Sequence, residues 1–336
     1  MKIFLPIKID DIGGTSIFSR KFKEGMENRG HVVQFEPFDD YDVLFVVVSC
    51  PFKYVREAKR LKKPIIQRLD GVFYPSTISG WLYPLYNLKA KIIHRFFSNH
   101  TIYQSHYSQY CSEKFLGKRK DGNQSLVYNG VDLKKFTAEG PAKKLQEGDA
   151  LSFVTASRFR RKDQIVPIIE ALTHFKETTK KPFTLFVAGT FTGAAATVPK
   201  DYAHLPWIKF MGKVSNHDLP AYYRDANAFL FTHQNPPCPN NIIEAMACGL
   251  PICGVDDGSM SELTSPGKNS ELIPTKGDAF YKERNLDTQA FSRNLEKIIA
   301  DQTNYSKISA QIAKDRFDIE TMLDLYDEAI RKASKK

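Results

Sequence analysis

The amino-acid sequence predicts an α/β fold composed of two doubly wound domains. Short apolar runs alternate with stretches of helical periodicity, and the alternation starts again after a polar segment at residues 137–149. Such alternation is typical of parallel sheets whose strands are joined by crossover helices. The polar segment contains glycine, proline and charged residues without apolar periodicity, so we interpret it as a linker. With 336 residues, 42% of them hydrophobic, the chain can bury two cores.

In the first half, apolar runs predict strands at residues 2–7, 31–35, 43–48 and 64–69, and a helix at residues 53–61. Phe18, Phe22 and Met26 recur every four residues. This spacing predicts a helix that follows a turn at residues 11–15 and ends at Gly30.

In the second half, strands are predicted at residues 151–156, 183–188, 207–211, 228–232 and 251–255, with helices beginning near Gln164, His217 and Asn241. Helical periodicity continues from Leu286 to the basic C-terminus. We therefore predict domains at residues 1–148 and 149–313, and a terminal helix at 314–336 that crosses back to the first domain. Ligands of open α/β sheets bind outside the carboxyl ends of the strands, so we expect the strand-end loops to surround one cleft.

The composition excludes several classes of protein. Five scattered cysteines without a C-x-x-C pair predict neither a disulfide framework nor a zinc site, and they favour a reducing cytosol. No apolar run approaches the roughly 20 residues that span a bilayer, and no signal-peptide pattern is seen. The net charge of +10 is concentrated in residues 51–120, which suits an anionic surface or acceptor. We expect a cytoplasmic protein.

The segment NNIIEAMACGLP combines polar groups at the start of a predicted helix. Asn240 or Asn241 can cap the helix, whose N-terminal N–H groups attract an anion. Glu244, predicted in the first turn, can accept two hydrogen bonds from vicinal hydroxyls, and Gly249 and Pro251 end the helix. An anion next to vicinal hydroxyls is what a nucleotide-sugar presents.

This segment resembles the donor-site signature of the family-4 GT-B glycosyltransferases, also called glycosyl transferases group 1. The resemblance extends from Gly13 and Gly14 through YNGVD and SRFRRK to EAMACGLP and the terminal helix. It implies two Rossmann-like domains facing an interdomain cleft, the first binding an acceptor and the second a nucleotide-sugar donor. It also implies that transfer retains the anomeric configuration, that Glu244 binds the ribose, and that no metal or other cofactor is bound.

Arg158 and Lys162 follow the predicted strand at residues 151–156 and precede a helix. Two cations at this place could hold a diphosphate and stabilise the charge that builds on a leaving phosphate. They resemble the Arg and Lys pair with that role in family 4; a solvated basic turn is the alternative. We interpret Arg160 and Arg161 as surface charge.

Two further groups belong to the first domain. Gly13 and Gly14 allow a ligand to approach the backbone, and Thr15 can cap the following helix; the loop resembles the glycine loop that faces donor phosphates or sugar in GT-B enzymes. Asp70 follows a predicted strand at the place where many family-4 enzymes have a histidine. It could accept a hydrogen bond or act as a base, or it could cap the next segment or pair with Arg68.

Two further motifs of the family bear on the assignment: one is architectural, and the other is incomplete in this chain. The sequence YNGVD predicts a tight turn at Asn129 and Gly130, which we interpret as architectural. Family-4 enzymes usually carry a second glutamate eight positions before the one that matches Glu244, but this chain has Pro236 there. Proline offers neither a carboxylate nor an N–H donor. The sugar would be held otherwise, and the candidates are Gln234, Asn240, Asn241 and the backbone of Gly258 and Ser259.

Residues 81–107 interleave aromatic and basic side chains, namely Trp81, Tyr83, Tyr86, Phe96 and Phe97 with Lys89, Lys91, His94 and Arg95. Such a surface could lie peripherally on anionic lipid headgroups. The alternative is a core helix with a solvated basic face. We interpret Cys238 as a packing residue rather than a nucleophile, and we place His94, His100 and His106 on helix surfaces or strand ends.

The sequence therefore predicts a retaining, metal-independent glycosyltransferase that moves a sugar from a UDP- or GDP-linked donor to a hydroxyl of a glycan or lipid-linked acceptor. One alternative is an epimerase or hydrolase that acts on the nucleotide-sugar itself. The missing first glutamate raises another, a non-catalytic carbohydrate-binding protein. No nucleic acid is expected as a partner, because the basic stretch carries no RRM, KH or helix-turn-helix signature.

Overall fold

A computed structural model describes residues 1–9, 14–37, 40–78, 80–119, 121–141, 150–179, 181–278, 280–282 and 285–334. The chain divides into two compact units. The first unit comprises Met1–Gly130, Phe280–Lys282 and Ile319–Lys336, and the second comprises Val131–Ala279 and Glu283–Asp318. None of the helices in the described ranges is both long enough and apolar enough to cross a membrane.

The first unit contains a sheet of six parallel strands in the order β2-β1-β3-β4-β5-β6. The strands are β1 (Lys2–Phe4), β2 (Val32–Gln34), β3 (Val43–Val47), β4 (Ile65–Leu69), β5 (His100–Tyr103) and β6 (Gln124–Leu126). Four helices accompany them, α1 (Gly14–Asn28), α2 (Phe52–Arg60), α3 (Tyr83–Ile92) and α4 (His106–Leu116). Every residue of β3 and β4 is buried, as expected for a parallel sheet covered on both faces.

Helix α1 confirms the four-residue periodicity of the sequence. Phe18, Phe22 and Met26 are buried in the core against the sheet. The helix ends at Asn28, and Gly30 follows with a φ of +81°, a conformation that glycine adopts without steric cost. The prediction that Thr15 caps this helix is wrong, because Thr15 lies within α1 and its carbonyl accepts a hydrogen bond from Ser19. Residues 11–13 of the predicted turn lie outside the described residues.

The second unit contains another sheet of six parallel strands, in the order β12-β11-β10-β7-β8-β9. The strands are β7 (Leu151–Phe159), β8 (Phe183–Phe191), β9 (Ile208–Gly212), β10 (Ala228–Phe231), β11 (Ile252–Asp256) and β12 (Ser270–Pro274). The helices are α5 (Val166–Thr178), α6 (Val198–Asp201), α7 (Leu219–Asp225), α8 (Asn240–Ala247), α9 (Met260–Leu263), α10 (Thr288–Ala300) and α11 (Gln302–Arg316). This strand order is that of a doubly wound Rossmann fold, so the predicted fold class is confirmed.

The last helix, α12 (Ile319–Ser334), belongs to the first unit. Its apolar face, including Leu323 and Tyr326, joins the core formed by α1 and the sheet. Gly130 allows this packing, because a Cβ there would lie 2.6 Å from the Cα of Ile319. Gly130 has an ordinary backbone conformation, so the tight turn predicted at Asn129 and Gly130 is wrong. Glycine is needed there for close approach.

The two units divide between Gly130 and Val131, before the predicted linker. The described part of that linker is fastened to the second unit, because Arg224 of α7 donates hydrogen bonds to the carbonyls of Thr137 and Pro141. Phe136 also lies 6.5 Å from Tyr223, measured between ring centroids. Residues 142–149 lie outside the described residues.

A short piece from the second half of the chain packs in the first unit. Phe280 contacts the rings of Tyr74 and Phe115, with centroid distances of 5.1 and 5.2 Å. Its carbonyl accepts a hydrogen bond from the backbone N–H of Ser76, and the Lys114 ammonium lies 4.5 Å from its ring centroid. These contacts fix Phe280 in an aromatic cluster of the first unit.

Candidate functional site

The strand order of the second unit places a ligand site at one point of the sheet. Strands β7 and β10 are neighbours, and the chain leaves β7 toward β8 on one side and β10 toward β11 on the other. Ligands of open α/β sheets bind outside the carboxyl ends of the strands at such a reversal. The end of β7 and the loop after it contain Arg158–Lys162, and the loop after β10 leads from Thr232 to the start of α8 at Asn240 and Asn241, so two of the sequence-predicted groups meet at this edge.

Helix α8 is held against the carboxyl end of β7. The side-chain amide of Asn241 donates to the carbonyl of Ala156 over 2.8 Å, and its oxygen accepts from the N–H of Ile242. The N-cap residue is Pro239 rather than either asparagine, and it makes no side-chain cap hydrogen bond. Asn241 nevertheless bonds one N–H of the first turn from within the helix, while its nitrogen joins the helix to the sheet. The other N–H groups of the first turn carry the positive end of the helix dipole.

Two polar side chains next to this contact have no partner among the described residues. Arg158 is half-buried at the end of β7, and its guanidinium makes no hydrogen bond, ion pair or ring contact within the described part of the chain. Asn240, the first residue of α8, is half-buried, and its amide has no partner there either. A partly buried guanidinium keeps its charge and needs an anion or an acceptor. With the N-terminus of α8, these groups form an anion-attracting edge.

Glu244 lies in the second turn of α8, one turn later than predicted, and only 8% of its surface is exposed. Tyr223 and Cys248 are close to this carboxylate. Burial, and then the charge of Glu244, raise the pKa of the Tyr223 hydroxyl well above its usual value. Burial likewise raises the pKa of the Cys248 thiol to about 12. The helix ends as predicted at Gly249, whose φ is +76°, with Leu250 N–H bonding to the Ala245 carbonyl.

The basic loop after β7 is ordered by its own side chains. Arg161 forms a two-pronged ion pair with Asp163, and its side chain is only 25% exposed, so the interpretation as plain surface charge is wrong for this residue. The oxygen of the Gln164 amide accepts hydrogen bonds from the N–H groups of Arg160 and Arg161. Lys162 is more exposed, and its ammonium lies 3.6 Å from a carboxylate oxygen of Asp201.

Gln164 also determines the tautomer of His233. Because its oxygen is occupied by two backbone donors, its nitrogen faces Nδ1 of His233 at 3.3 Å and donates to it. His233 therefore carries its proton on Nε2, an atom shielded from solvent and without a hydrogen-bond partner among the described residues. Burial, with the charge of Arg161, lowers the pKa of His233 to about 3. Sequence reasoning missed this link, because the two residues are distant in the chain.

The loop that contains Pro236 is closed by contacts with the loop after β11. Both the N–H and the hydroxyl of Ser259 donate to the Pro236 carbonyl at 3.0 Å. A Cβ on Gly258 would lie 2.4 Å from the Cδ of Pro236. The buried carboxylate of Asp257 accepts from the N–H groups of Asn235 and Gly258. The donors of Gly258 and Ser259 thus bond within the unit, and their contact with a sugar stays a prediction.

Sequence reasoning also missed the role of Asp257. Its position directly after an apolar strand, in the sequence GVDDGS, is the signal that could have indicated it. The carboxylate joins the loops after β10 and β11, so it positions the proline that stands in place of the first glutamate.

In the first unit, Asp70 belongs to a ring of hydrogen bonds at the carboxyl end of β4. Arg68, only 1% exposed, forms an ion pair with Oδ1 of Asp70 and donates to Oδ1 of Asn129 over 2.9 Å. Gln104 donates to the same Oδ1 of Asp70 over 2.8 Å and accepts from Asn129. The alternative that Asp70 pairs with Arg68 is therefore observed. Oδ2 of Asp70 has no partner among the described residues, and the side chain is 21% exposed.

Arg68 is also held by Tyr326 and Phe18. Its Nε donates to the Tyr326 hydroxyl over 2.7 Å, and the guanidinium carbon lies 3.6 Å from the Phe18 ring centroid. The ring of hydrogen bonds thus connects β4 to α1 and α12. Gly14, at the start of α1, has an ordinary φ, and a Cβ there would meet no atom of the described ranges within 4 Å. Gly13 lies outside the described residues.

The histidine and cysteine predictions have mixed outcomes. His94 is 1% exposed and contacts Thr101 and the Gly117 carbonyl, so its predicted surface position is wrong. Burial lowers its pKa to about 4. All five cysteines are buried and none forms a disulfide bond, including Cys238. Within the described ranges, no group of three metal-ligating side chains is arranged to hold a metal ion.

The second unit carries the sequence pattern of a known protein family. A profile of the family described as glycosyl transferases group 1 matches residues 137–315, which is more than half of the chain. The chain belongs to this family. The matched region is almost the whole of the second unit, and it contains the carboxyl edge with Arg158, Asn240 and Glu244.

Curated relatives of this glycosyltransferase family are distant. D-inositol 3-phosphate glycosyltransferase from Frankia alni is 23% identical over 172 residues, which is 47% of this chain and 42% of the relative. Alpha-monoglucosyldiacylglycerol synthase from Acholeplasma laidlawii is 24% identical over 239 residues, 67% of this chain and 58% of the relative. The matches span about half the length of these relatives.

Several solved structures share the fold of this protein over nearly the whole chain. HepE from Anabaena, in complex with UDP and glucose, aligns with a TM-score of 0.75 and 18% identity, covering 99% of this chain and 100% of HepE. Sucrose-phosphate synthase from Thermosynechococcus elongatus aligns with a TM-score of 0.76 and 16% identity, covering 98% of each chain. The GT-B fold predicted from the sequence is thereby confirmed.

Proposed function

We propose that this protein is a glycosyltransferase that moves a sugar from a nucleotide-sugar donor, UDP- or GDP-linked, to a hydroxyl of a glycan or lipid-linked acceptor. The observation that carries the proposal is the guanidinium of Arg158, without a partner among the described residues, at the same sheet edge as the N-terminus of α8, where the sheet order reverses. Both features attract a diphosphate. Membership of the family and the UDP and glucose bound by HepE point to the same class of ligand.

In this proposal, different residues of the second unit bind different parts of the donor. Arg158 and Lys162 hold the diphosphate, and they stabilise the negative charge that builds on it when the bond to the sugar breaks. Glu244 accepts hydrogen bonds from the two ribose hydroxyls, and Asn240 contacts the sugar or the phosphates. Transfer with retention, without a metal ion, is the expectation that follows from the family resemblance.

The acceptor is assigned to the first unit, where Asp70 presents Oδ2. Arg68 and Gln104 both bind Oδ1 of this carboxylate and hold it in place, which leaves Oδ2 for an acceptor hydroxyl. We therefore assign Asp70 the role of a fixed hydrogen-bond acceptor that orients the hydroxyl. A lipid-linked acceptor would bring the protein to a membrane surface, and residues 81–107 are our candidate for a peripheral contact of a protein that we expect in the cytoplasm.

Nucleotide binding tests the proposal most directly. Thermal unfolding of the purified protein would be followed with UDP, GDP, ADP and their glucose or mannose conjugates. One nucleotide should stabilise the fold by about 2.7 kcal/mol at a concentration of a hundred times Kd. Glu244→Gln should lower this stabilisation, because a ribose contact is weakened. The control Gln289→Glu, at an exposed position of α10, should leave it unchanged.

Product analysis separates the remaining classes of activity. Transfer of radiolabelled sugar from the preferred donor to a saccharide or lipid-linked saccharide is expected. Release of free sugar at the full rate without any acceptor would instead identify a hydrolase. If no nucleotide or nucleotide-sugar stabilises the protein, the proposed function is wrong.

A further inference from the structure

A cluster of exposed apolar side chains lies on and around α3. Ten large hydrophobic residues of the described chain are exposed, and six of them fall within residues 73–96. They are Phe73, Trp81, Leu85, Tyr86, Leu88 and Phe96. Scattered exposed apolar residues are ordinary, but a contiguous group marks a surface that contacts another molecule or a membrane.

Helix α3 exposes large apolar side chains and buries smaller ones. Its inner face presents Asn87 and Ala90, which are 3% and 4% exposed. Its outer face presents Leu85 and Leu88, which are 61% and 47% exposed, and Trp81, four residues before Leu85, is 78% exposed. Leu85 and Leu88, three residues apart, share one side of the helix, and Trp81 lies in the short 3-10 turn Gly80–Leu82 just before it. Helix α3 therefore has the packed inner side and the solvated basic residues of the alternative, but its exposed side is apolar as well as basic.

A pair of hydrogen bonds fixes this orientation. The Asn87 amide donates to the Phe73 carbonyl over 2.7 Å and accepts from the Phe73 N–H over 2.9 Å. A buried asparagine that satisfies both backbone groups of one residue would lose these bonds if the helix rotated. The apolar face consequently stays directed outward. Phe73 itself lies 5.5 Å from the ring of Tyr86, measured between centroids, and extends the same patch.

The charge around the patch has one sign. Lys89, Lys91 and Arg95 are exposed on and just after α3. No aspartate or glutamate occurs in the sequence between Asp70 and Glu113. Cations beside apolar and aromatic side chains complement a bilayer interface, where tryptophan and tyrosine lie at headgroup depth and lysine contacts anionic lipid.

We propose that this outward face of α3 docks on an anionic lipid bilayer. Trp81, Leu85 and Leu88 enter the boundary between headgroups and acyl chains, while Lys89 and Lys91 contact lipid phosphates. The proposal extends the lipid-linked acceptor of the proposed function by naming the docking residues. Lipid binding nevertheless requires no donor and no transfer, so it can be measured independently of glycosyltransferase activity.

Vesicle flotation tests the proposal with the full chain. Purified protein would be mixed with vesicles of phosphatidylcholine alone, or with vesicles that also contain phosphatidylglycerol, in low and high salt. Binding to the anionic vesicles is expected, and it should weaken as salt rises. The affinity of the double variant Leu85→Gln/Leu88→Gln should be lower by about tenfold or more, because two leucines no longer enter the apolar phase. Glutamine keeps the helix propensity of leucine.

Matched variants separate this surface from general effects. Leu325→Gln changes an exposed leucine of α12, which is 41% exposed, and should leave lipid binding unchanged. Lys89→Gln/Lys91→Gln should lower affinity for anionic vesicles by roughly a factor of ten or more, at about 1 kcal/mol per lysine. The pair Lys307→Gln/Lys314→Gln on α11 removes the same charge elsewhere and should have a smaller effect.

Three results would overturn the proposal. One is the absence of binding to anionic vesicles, and another is equal binding by the wild type and the α3 variants. The third is a dimer of the wild-type protein that Leu85→Gln/Leu88→Gln converts to a monomer, because the patch would then be a contact between copies. Loss of nucleotide binding in the wild type would contradict the proposed function but not the docking surface.

Discussion

Gln164 and His233 are joined by a hydrogen bond of 3.3 Å from the glutamine amide to Nδ1 of the imidazole. This bond links the basic loop after β7 to the carboxyl end of β10. We expect Gln164→Leu to misplace Arg158 and Lys162 and to lower kcat/KM between about tenfold and a hundredfold, the cost of small misplacements in a catalytic site. Steady-state kinetics would measure the loss. The control Gln289→Leu, at an exposed position of α10, should leave kcat/KM unchanged, and equal kinetics for both variants would contradict the proposed link.

The cations and Glu244 should affect different kinetic constants. Lys162→Ala and Arg158→Met remove stabilisation of the leaving diphosphate, so kcat should fall by about a hundredfold or more. Glu244→Gln removes a ribose contact and should mainly raise the donor KM or Kd, by roughly tenfold for a hydrogen bond to a charged group. Kinetics combined with calorimetry would separate the two effects. A Lys162→Ala enzyme with an unchanged kcat would rule out its assigned role.

Asp70 should behave as an orienting group. Asp70→Asn retains an oxygen for the acceptor hydroxyl, so partial activity should survive without a change in the pH dependence of kcat/KM. Asp70→Ala should lose more, because no acceptor remains. The pH profiles of the three enzymes decide the matter. If the acidic limb of the wild-type profile disappears in Asp70→Asn, the residue is a base.

Gly14 offers a test in which folding is not at stake. Among the described residues, no atom lies within 4 Å of a Cβ at this position, and alanine is the better helix former. Gly14→Ala should therefore fold with a Tm equal to or above that of the wild type. If donor phosphates or sugar approach this backbone, kcat/KM should fall about tenfold or more. Unchanged activity at unchanged Tm would remove Gly14 from the site.

Stability should decline on acidification because burial lowers the pKa of three histidines of the described residues, His31, His94 and His233. Burial lowers the pKa of His94 to about 4, whereas an unfolded histidine titrates near 6.5. Between these values the unfolded chain binds more protons than the folded chain, so stability is fully present above pH 6.5 and is lost as pH falls toward 4. For His94 the loss is of the order of 3 kcal/mol. His233, with a pKa of about 3, adds to it.

Urea unfolding as a function of pH would measure this dependence. The slope of unfolding free energy against pH should be smaller in His94→Gln than in the wild type. His217→Gln, at a side chain 94% exposed, serves as the control and should keep the wild-type slope. An identical slope in all three proteins would contradict the assignment to His94.

The sequence predicted those parts of the fold whose signal lies in local apolar runs. Strands such as β3 and β4 are buried throughout and were located within a residue or two. Strand β5 was missed because it contains His100 and Thr101, polar residues whose burial depends on partners elsewhere in the fold, including Ser125 and Arg119. No local pattern reveals such partners.

The candidate site shows the same division. Glu244 and Arg158 could be found from residue type and place in the order of elements. The uses of Asn241 and Asp257 could not, because each bonds to a residue far away in the chain, Asn241 to Ala156 and Asp257 to Asn235. The predicted capping residue was incomplete for this reason: the amide of Asn241 bonds a first-turn N–H with its oxygen and the distant Ala156 carbonyl with its nitrogen, and only the first bond is local.

The position of α12 has a consequence for the order in which the molecule can be completed during synthesis. The second unit ends at Asp318, whereas the first still needs Leu323 and Tyr326 for its core and for the bond to Arg68. The unit that is translated first therefore completes its fold last. Until α12 has been synthesised, the β-sheet of the first unit lacks the helix that covers it. A chain cut at residue 318 should show one cooperative unfolding transition, from the second unit, and a synthetic peptide of α12 should restore the other.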